Sequence, residues 1–265
     1  MKEEALSLIK DVSDPAQKLN VLREYVQVQA LRSLHEMEAF SNLSFVGGTA
    51  LRFVFDLPRF SEDLDFALNN ESGYQPESWM KKVKNDLSLA GFDTSLKWNA
   101  RTTVHKAWIK IAGLLNEAGL AAMKSQKLSI KLEIDTNPPA GARSVRALIT
   151  RHVMLSISHY DLPSLMAGKV HALLTRQYTK GRDWYDLLWY RGKVPPVEPN
   201  LGQLQQALDQ TQGAGVMDAA GWKGHLIETL NNLDGTAVTA DVKSFLERPS
   251  DAALLTVENF RSVLA

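Results

Sequence analysis

Asp63 and Asp65 stand one residue apart in the run Ser61-Glu62-Asp63-Leu64-Asp65, shortly after Gly47-Gly48-Thr49. On a strand, carboxylates at that spacing project to one face, with Leu64 and Phe66 on the other. Holding two negative charges side by side is unfavourable unless a cation offsets it. Hard divalent ions such as Mg²⁺ take oxygen ligands and commonly bridge one or two carboxylates to substrate phosphates. Two glycines between a strand and a helix let backbone amides approach phosphate oxygens, and the helix N-terminus favours their charge. An isolated Asp-x-Asp is usually solvated and an isolated Gly-Gly usually marks a turn. Their order and separation carry more weight than either alone. The chemistry they point to is metal-assisted transfer at a nucleoside triphosphate, with a hydroxyl activated and pyrophosphate released.

Other residue groups bear on that chemistry. Lys131, Glu133 and Asp135 alternate on one strand face, so either acid is placed to complete a metal shell or to accept a proton; a surface Lys–Glu pair is the alternative. Lys169, Leu173 and Arg176 share a helix face, where Lys169 offers a point charge and Arg176 a fork of donors for phosphate. Solvated basic residues are the plain alternative there. His171 points elsewhere and reads as structural. Asp183 fits an N-cap for the helix that follows Gly181, and Asp186 either completes the capping or favours the helix dipole.

The elements that must position these groups follow from periodicity. Pro15 to Glu38 reads as an amphipathic helix capped by Asp14, with Leu19, Leu22, Val26 and Leu34 recurring at helical spacing. Leu43 to Val46 is a strand ending at the glycines, Thr49 to Phe55 a helix, and Ser61 to Leu68 a strand. A helix from Glu77 to Leu89 precedes strands at Ser95 to Trp98, Ala107 to Leu114 and Leu128 to Asp135. Beyond Asp161 the pattern is mostly helical, near 162–177, 183–190, 201–207, 219–230 and 238–246. The Pro195-Pro196-Val197-Glu198-Pro199 stretch separates the last helices. A mixed α/β half followed by a helical half is expected.

These residues also resemble a known family. Leu22-Arg23-Glu24-Tyr25, Phe45-Val46-Gly47-Gly48-Thr49-Ala50-Leu51-Arg52, Arg59-Phe60-Ser61-Glu62-Asp63-Leu64-Asp65-Phe66, Lys169 to Arg176 and Arg182-Asp183-Trp184-Tyr185-Asp186-Leu187 are similar to motifs of the AbiEii-type (MenA-like) nucleotidyltransferase toxins, in the same order. The resemblance runs from Leu22 to Tyr190. Val46 departs from the basic residue expected before the glycine pair. The resemblance implies an α+β fold, with a DNA-polymerase-β-like core and mixed sheet over 1–155 and a helical C-terminal domain over 156–265. It implies Mg²⁺ (or Mn²⁺) held by Asp63 and Asp65, and NTP bound by Gly47, Gly48, Thr49, Lys169 and Arg176. Catalytic contributions are implied from Glu133 or Asp135, Lys169, and Asp183 or Asp186. It further implies a toxin that adds nucleotides to RNA, at the 3′ acceptor end of tRNA in studied relatives, within a toxin–antitoxin or phage-defence pair whose antitoxin is a separate chain.

Composition is compatible with that reading and narrows it little. The 265 residues carry 30 basic and 30 acidic side chains and no cysteine, so disulfides and thiolate metal sites are excluded. Charge is uneven: residues 1–96 hold 10 basic against 15 acidic, residues 97–193 hold 16 against 6, and residues 194–265 hold 4 against 9. A basic middle third favours an anionic partner if folding gathers it on one face. No stretch reaches the roughly 20 apolar residues of a membrane span, and no secretory leader is seen at the N-terminus, so a cytoplasmic enzyme with no membrane partner is expected. A protein hydroxyl or an aminoglycoside are the other acceptors considered, and a non-catalytic nucleotide- or partner-binding protein is the alternative from another class.

Overall fold

The structure, a computed structural model, describes residues 1–265. Helices α1 (Lys2–Ser7) and α2 (Pro15–Glu36) come first, then β1 (Leu43–Val46), α3 (Gly47–Phe55), β2 (Leu64–Leu68) and α4 (Pro76–Leu89). Strands β3 (Asp93–Asn99) and β4 (Val104–Ala112), the short α5 (Leu114–Glu117), and strands β5 (Lys127–Asp135), β6 (Ser144–Ile149) and β7 (Leu155–Tyr160) follow. The remaining helices are α6 (Leu162–Thr175), α7 (Gly181–Arg191), α8 (Leu201–Gln212), α9 (Trp222–Leu230), α10 (Gly235–Lys243) and α11 (Val257–Leu264). No helix is long and apolar enough to cross a membrane.

The chain forms two compact units. The first comprises residues 1–56, 60–138 and 145–159; the second comprises 57–59, 139–144 and 160–265. All seven strands form one mixed sheet in the order β3-β4-β5-β2-β1-β7-β6, lying almost wholly in the first unit. β1 runs antiparallel to β2 and β2 parallel to β5, while β3, β4 and β5 form an antiparallel meander. The inner strand β2 therefore has its register set on both sides, by Phe45 opposite Phe66 and by Leu132 opposite Leu64. One face of these strands is apolar: Phe45 and Phe66 stack at 5.3 Å, and Ile109, Ile130, Leu132 and Ile134 are buried. Alternation then sends the polar side chains of the same strands to the opposite face.

Helix α2 starts where expected, with the Asp14 carboxylate accepting from the Gln17 amide at 3.1 Å and Pro15 in the first turn. Several elements differ from the sequence expectation. α3 begins at Gly47 itself, because Gly47 adopts φ +75° and turns the chain directly from strand to helix. β2 begins only at Leu64, since the preceding backbone is held by side chains of other elements. Leu114 starts α5 instead of ending β4. β6, β7, α1 and α11 are additional.

The second unit is helical. α6 packs on α7 and α8, α7 on α10, and α11 on α7 and α9. Gly181 is required where α7 meets α10, because a Cβ there would run into the Val238 carbonyl group.

In the first unit the buried Arg52 pairs with the buried Glu24 carboxylate and lies 4.0 Å from the Phe60 ring centroid. Burial pushes Glu24 up, but bonds from His152, Arg52 and Arg151 outweigh it and hold the carboxyl below its ordinary value. The depressed value means this pair stabilises the fold above the ordinary carboxylate range and is lost as pH falls through it. Glu24→Gln leaves Arg52 buried without its counter-charge. It is expected to cost about 3–5 kcal/mol in urea unfolding at neutral pH, with a smaller difference from the parent in acid.

Candidate functional site

The first unit builds its polar site from the join of β1 and α3 and from the backbone just before β2. Val46 pairs with Asp65 across the antiparallel ladder, and Asp65 pairs with Glu133 on the other side. Gly47 is thus set against the Asp65 side chain. A Cβ on Gly47 would come within 3.1 Å of both Cβ and Cγ of Asp65 and closer still to its carboxylate. Together with the positive φ, this leaves glycine as the residue that fits. The N-terminus of α3 has no side-chain cap, so its amides are not claimed by a capping oxygen. Thr49 has a different task from the phosphate contact expected of it: its buried hydroxyl donates to the Asp63 carbonyl oxygen.

Two residues outside the expected set also hold this segment, Gln27 through the segment's backbone and Arg23 through the Glu62 side chain. Gln27, buried on α2, donates from Nε2 to the carbonyls of Ser61 at 3.2 Å and Glu62 at 2.8 Å. Arg23 pairs with Glu62 at 3.3 Å. Polar residues at a buried helix position were the signal for them, though nothing in the spacing named their partners.

Glu133 lies directly beside Asp65 and is bound by Lys131 at 2.7 Å and by Lys106 at 3.5 Å. Lys131 is the local counter-charge. Burial disfavours its ammonium, but Glu133, Asp63 and Asp65 outweigh this and raise its pKa. Asp135 lies two register positions further along, beside Ala67, and accepts from the Asn137 amide at 3.0 Å as the strand ends. Of the two acids on β5, Glu133 is therefore the one beside Asp65. The donors at Asp63 and Asp65 suit a hard cation, being carboxylate oxygens, and that of Asp65 lies against the uncapped amide turn. No group of three or more Asp, Glu, His or Cys side chains stands in an ion-holding arrangement. Two carboxylates match Mg²⁺, which completes its shell with water and substrate phosphates.

The second unit holds a separate charged cluster. Lys169 on α6 bridges Asp183 and Asp186 of α7, at 2.8 Å to each. Arg176, just past the end of α6, also pairs with Asp183. Asp186 is bound in bidentate fashion by the buried Arg59, at 2.6 Å through Nε and 2.6 Å through Nη2. The expected capping role of Asp183 and Asp186 is not observed. Lys180 is the N-cap of α7, no side chain caps it, and both carboxylates instead turn to cations on α6 and the 57–59 segment. Arg59, in a motif recognised from sequence, had no partner assigned to it, since 127 residues separate it from Asp186.

Burial raises the Asp183 pKa, but Lys169 and Arg176 outweigh it and bring the carboxyl to about 2 from an ordinary 3.8. Burial would discharge Lys169, but Asp183 and Asp186 outweigh it and raise the pKa of the ammonium. Burial lowers that of Lys180, and neighbouring Arg182, Lys169 and Arg176 add to the effect against Asp183. Arg176, Tyr178, Lys180 and Asp183 line a cleft of about 190 Å³ within this unit. Surplus positive charge around it suits an anionic ligand. His171 is structural, its Nε2 3.0 Å from Thr211 Oγ1, with burial lowering its pKa.

An enzyme of the nucleotidyltransferase class is what this fold carries, as the comparisons establish. The chain belongs to the nucleotidyl transferase AbiEii toxin family of type IV toxin–antitoxin systems, whose family model matches residues 29–264. Membership makes it a nucleotidyltransferase toxin and implies a nucleotide substrate and a cognate antitoxin. Two solved structures from Helicobacter pylori share the fold. JHP933 superposes with a TM-score of 0.53 at 17% identity, covering 96% of this chain and 92% of its own. A second protein, provisionally assigned as a nucleotidyltransferase, gives 0.54 at 17%, covering 96% and 94%. No curated protein matches the sequence significantly.

Two outcomes test the charge networks. Arg59→Met removes the bidentate partner of the buried Asp186 carboxylate and leaves it to Lys169, which Asp183 shares. It is expected to cost about 3 kcal/mol in urea unfolding, with Arg59→Met/Asp186→Leu losing less because the under-paired carboxylate is gone. Asp183 contributes on the order of 2 kcal/mol that is complete above about pH 4 and lost as pH falls towards 2, because its folded pKa is depressed. Asp183→Asn should therefore flatten the acid limb of stability measured against pH.

Proposed function

We propose that this toxin is a metal-dependent transferase that moves nucleotides from an NTP onto RNA, at the 3′ acceptor end of tRNA, and so blocks translation in the cytoplasm. The observation that carries the reading is the packing of the Gly47 turn against Asp65, with Glu133 in register on the next strand. The Asp65 carboxylate beside an uncapped helix N-terminus supports the reading, since phosphate chemistry uses both features.

In this reading Asp63 and Asp65 hold Mg²⁺ (or Mn²⁺), with the Gly47 and Gly48 amides turned to the phosphates. Bound there, the ion would neutralise phosphate charge and favour ionisation of the attacking hydroxyl. The RNA 3′-hydroxyl oxygen forms a bond to the α-phosphorus, the α–β phosphoanhydride bond breaks, and pyrophosphate leaves with the electron pair. The hydroxyl proton passes to a carboxylate on β5, for which Glu133 has the better position. Lys131 keeps the acids compatible until substrate arrives. Within the second unit, Lys169 and Arg176 would offer cations to phosphate, with Asp183 and Asp186 holding them in place. Thr49 positions Asp63 through its backbone and is not assigned to phosphate.

Purified protein incubated with total RNA, Mg²⁺ and each α-labelled NTP in turn is expected to label a tRNA band. Asp63→Asn and Asp65→Asn should lower the labelling by about a hundredfold or more, and a chelator should abolish it. Label retained on protein or on an aminoglycoside, with none on RNA, would overturn the acceptor. Toxicity surviving both substitutions would favour a binding protein over a transferase.

A further inference from the structure

The basic middle third of the sequence lies in part on one polar sheet face, and the proposed transfer site sits at the edge of it. The register places Lys97 opposite Trp108, Trp108 opposite Lys131, Asn99 opposite Lys106, Lys106 opposite Glu133, and Glu133 opposite Asp65. These residues alternate with the buried Ala107, Ile109, Ile130 and Leu132, so all of them share the face that carries Asp65. Lys110, opposite Ser95 and Ser129, continues the same face. Trp108 is 42% exposed, which an inner-strand tryptophan achieves only where no helix covers it. The Lys131 ammonium lies 5.9 Å from its ring centroid. Trp108, Lys127, Ser129 and Lys131 also line a cleft of about 380 Å³ that reaches Asp63. Lys97, Lys110 and Lys127 have no carboxylate partner, so their charge is available to a ligand.

We propose that this face is the track for the single-stranded end of the RNA acceptor, with Trp108 stacking on a base and Lys97, Lys110 and Lys127 meeting the phosphates. An aromatic platform among lysines is the arrangement by which single strands are held with little sequence preference, since every base offers a π-face and every linkage a charge. A protein partner is the less suited occupant, because lysine is depleted from the cores of protein interfaces and this face carries Lys97, Lys106, Lys110, Lys127 and Lys131. The track ends where transfer would occur: stepping from Trp108 to Lys131 on β5 leads to the acids at 63 and 65, so a strand stacked on Trp108 brings its 3′ end towards them. The inference rests on the transfer reading and deepens it by naming the groups that hold the acceptor.

The test is fluorescence anisotropy of a 5′-labelled single-stranded RNA of mixed sequence, titrated with the full chain in the absence of NTP and metal ion. Trp108→Ala is expected to weaken binding on the order of tenfold or more, and Trp108→Phe to retain most of it. Lys97→Ala/Lys110→Ala should reduce the slope of log affinity against log salt by about 0.7 for each phosphate no longer neutralised. Thermal unfolding checks that each variant is folded, and the phenylalanine and lysine variants keep the test open if Trp108→Ala is not. RNA affinity unchanged in Trp108→Ala, or a salt slope unchanged in the double variant, would overturn the proposal. So would a Trp108→Ala protein that keeps RNA but loses purified antitoxin. Protein that binds RNA through Trp108 but transfers nothing fails the transfer reading alone. Protein that labels RNA with no dependence on Trp108 fails this inference alone.

Discussion

The space beside Gly47 is already taken by the Asp65 side chain, and much of the first unit's site depends on that steric fact. A residue with a Cβ would displace either the turn or the acid. With glycine, β1 passes straight into α3, the helix N-terminus arrives without a side-chain cap, and the carboxylate closes over it. The positive φ alone would favour glycine modestly; the neighbouring carboxylate makes the preference steep. Strand pairing then extends the constraint sideways. Because β2 is held by β1 and β5 at once, a slip of one residue would turn Asp65 into the apolar layer with Phe45 and Ile134. Site and core are thus fixed by the same register.

Charge is handled differently in the two units. Around Asp65 the acids are half-exposed and face a lysine that is itself only partly buried, so water and substrate can compete for every member. Around Asp186 the pairing is closed, with a buried bidentate arginine and a lysine shared between two carboxylates. A closed network of this kind adds little net stability over apolar packing, because desolvation offsets much of the attraction. What it secures is position: Lys169 is held between two carboxylates that Arg176 and Arg59 in turn hold in place.

Much of this was legible from the residues alone. Alternation in Leu64 to Leu68 and in Leu128 to Asp135 is unambiguous, and the Asp14-Pro15 cap fixes the start of α2. What the sequence hid follows from range and from exposure. β6 is half-exposed along most of its length, so Ser144 and Arg146 break the apolar pattern that marks an inner strand. α11 had a signal in Thr256 as cap and in Val257, Phe260 and Leu264 at helical spacing, yet it lies beyond the resembling motifs. Asp183 and Asp186 sit where a helix start invites a capping role; only folding brings Lys169 and Arg59 to them, and a full charge outcompetes a backbone amide for a buried carboxylate. Gln27 and Thr49 likewise gain their partners only when α2, α3 and the 61–63 backbone meet.

Lys131 shows how one side chain can serve two needs that conflict at first sight. The acids at 63, 65 and 133 all act on Lys131, and carboxylates gathered around one lysine repel one another less than they would without its positive charge. A lysine suits this better than an arginine. Its ammonium is a compact point charge on a flexible stem and makes no rigid fork with Glu133, so it could move without breaking a bidentate pair. The same stem reaches across to the face of Trp108. Lys131 therefore stands between the acids and the aromatic ring, and a shift of its ammonium away from the carboxylates would bring it nearer the Trp108 face.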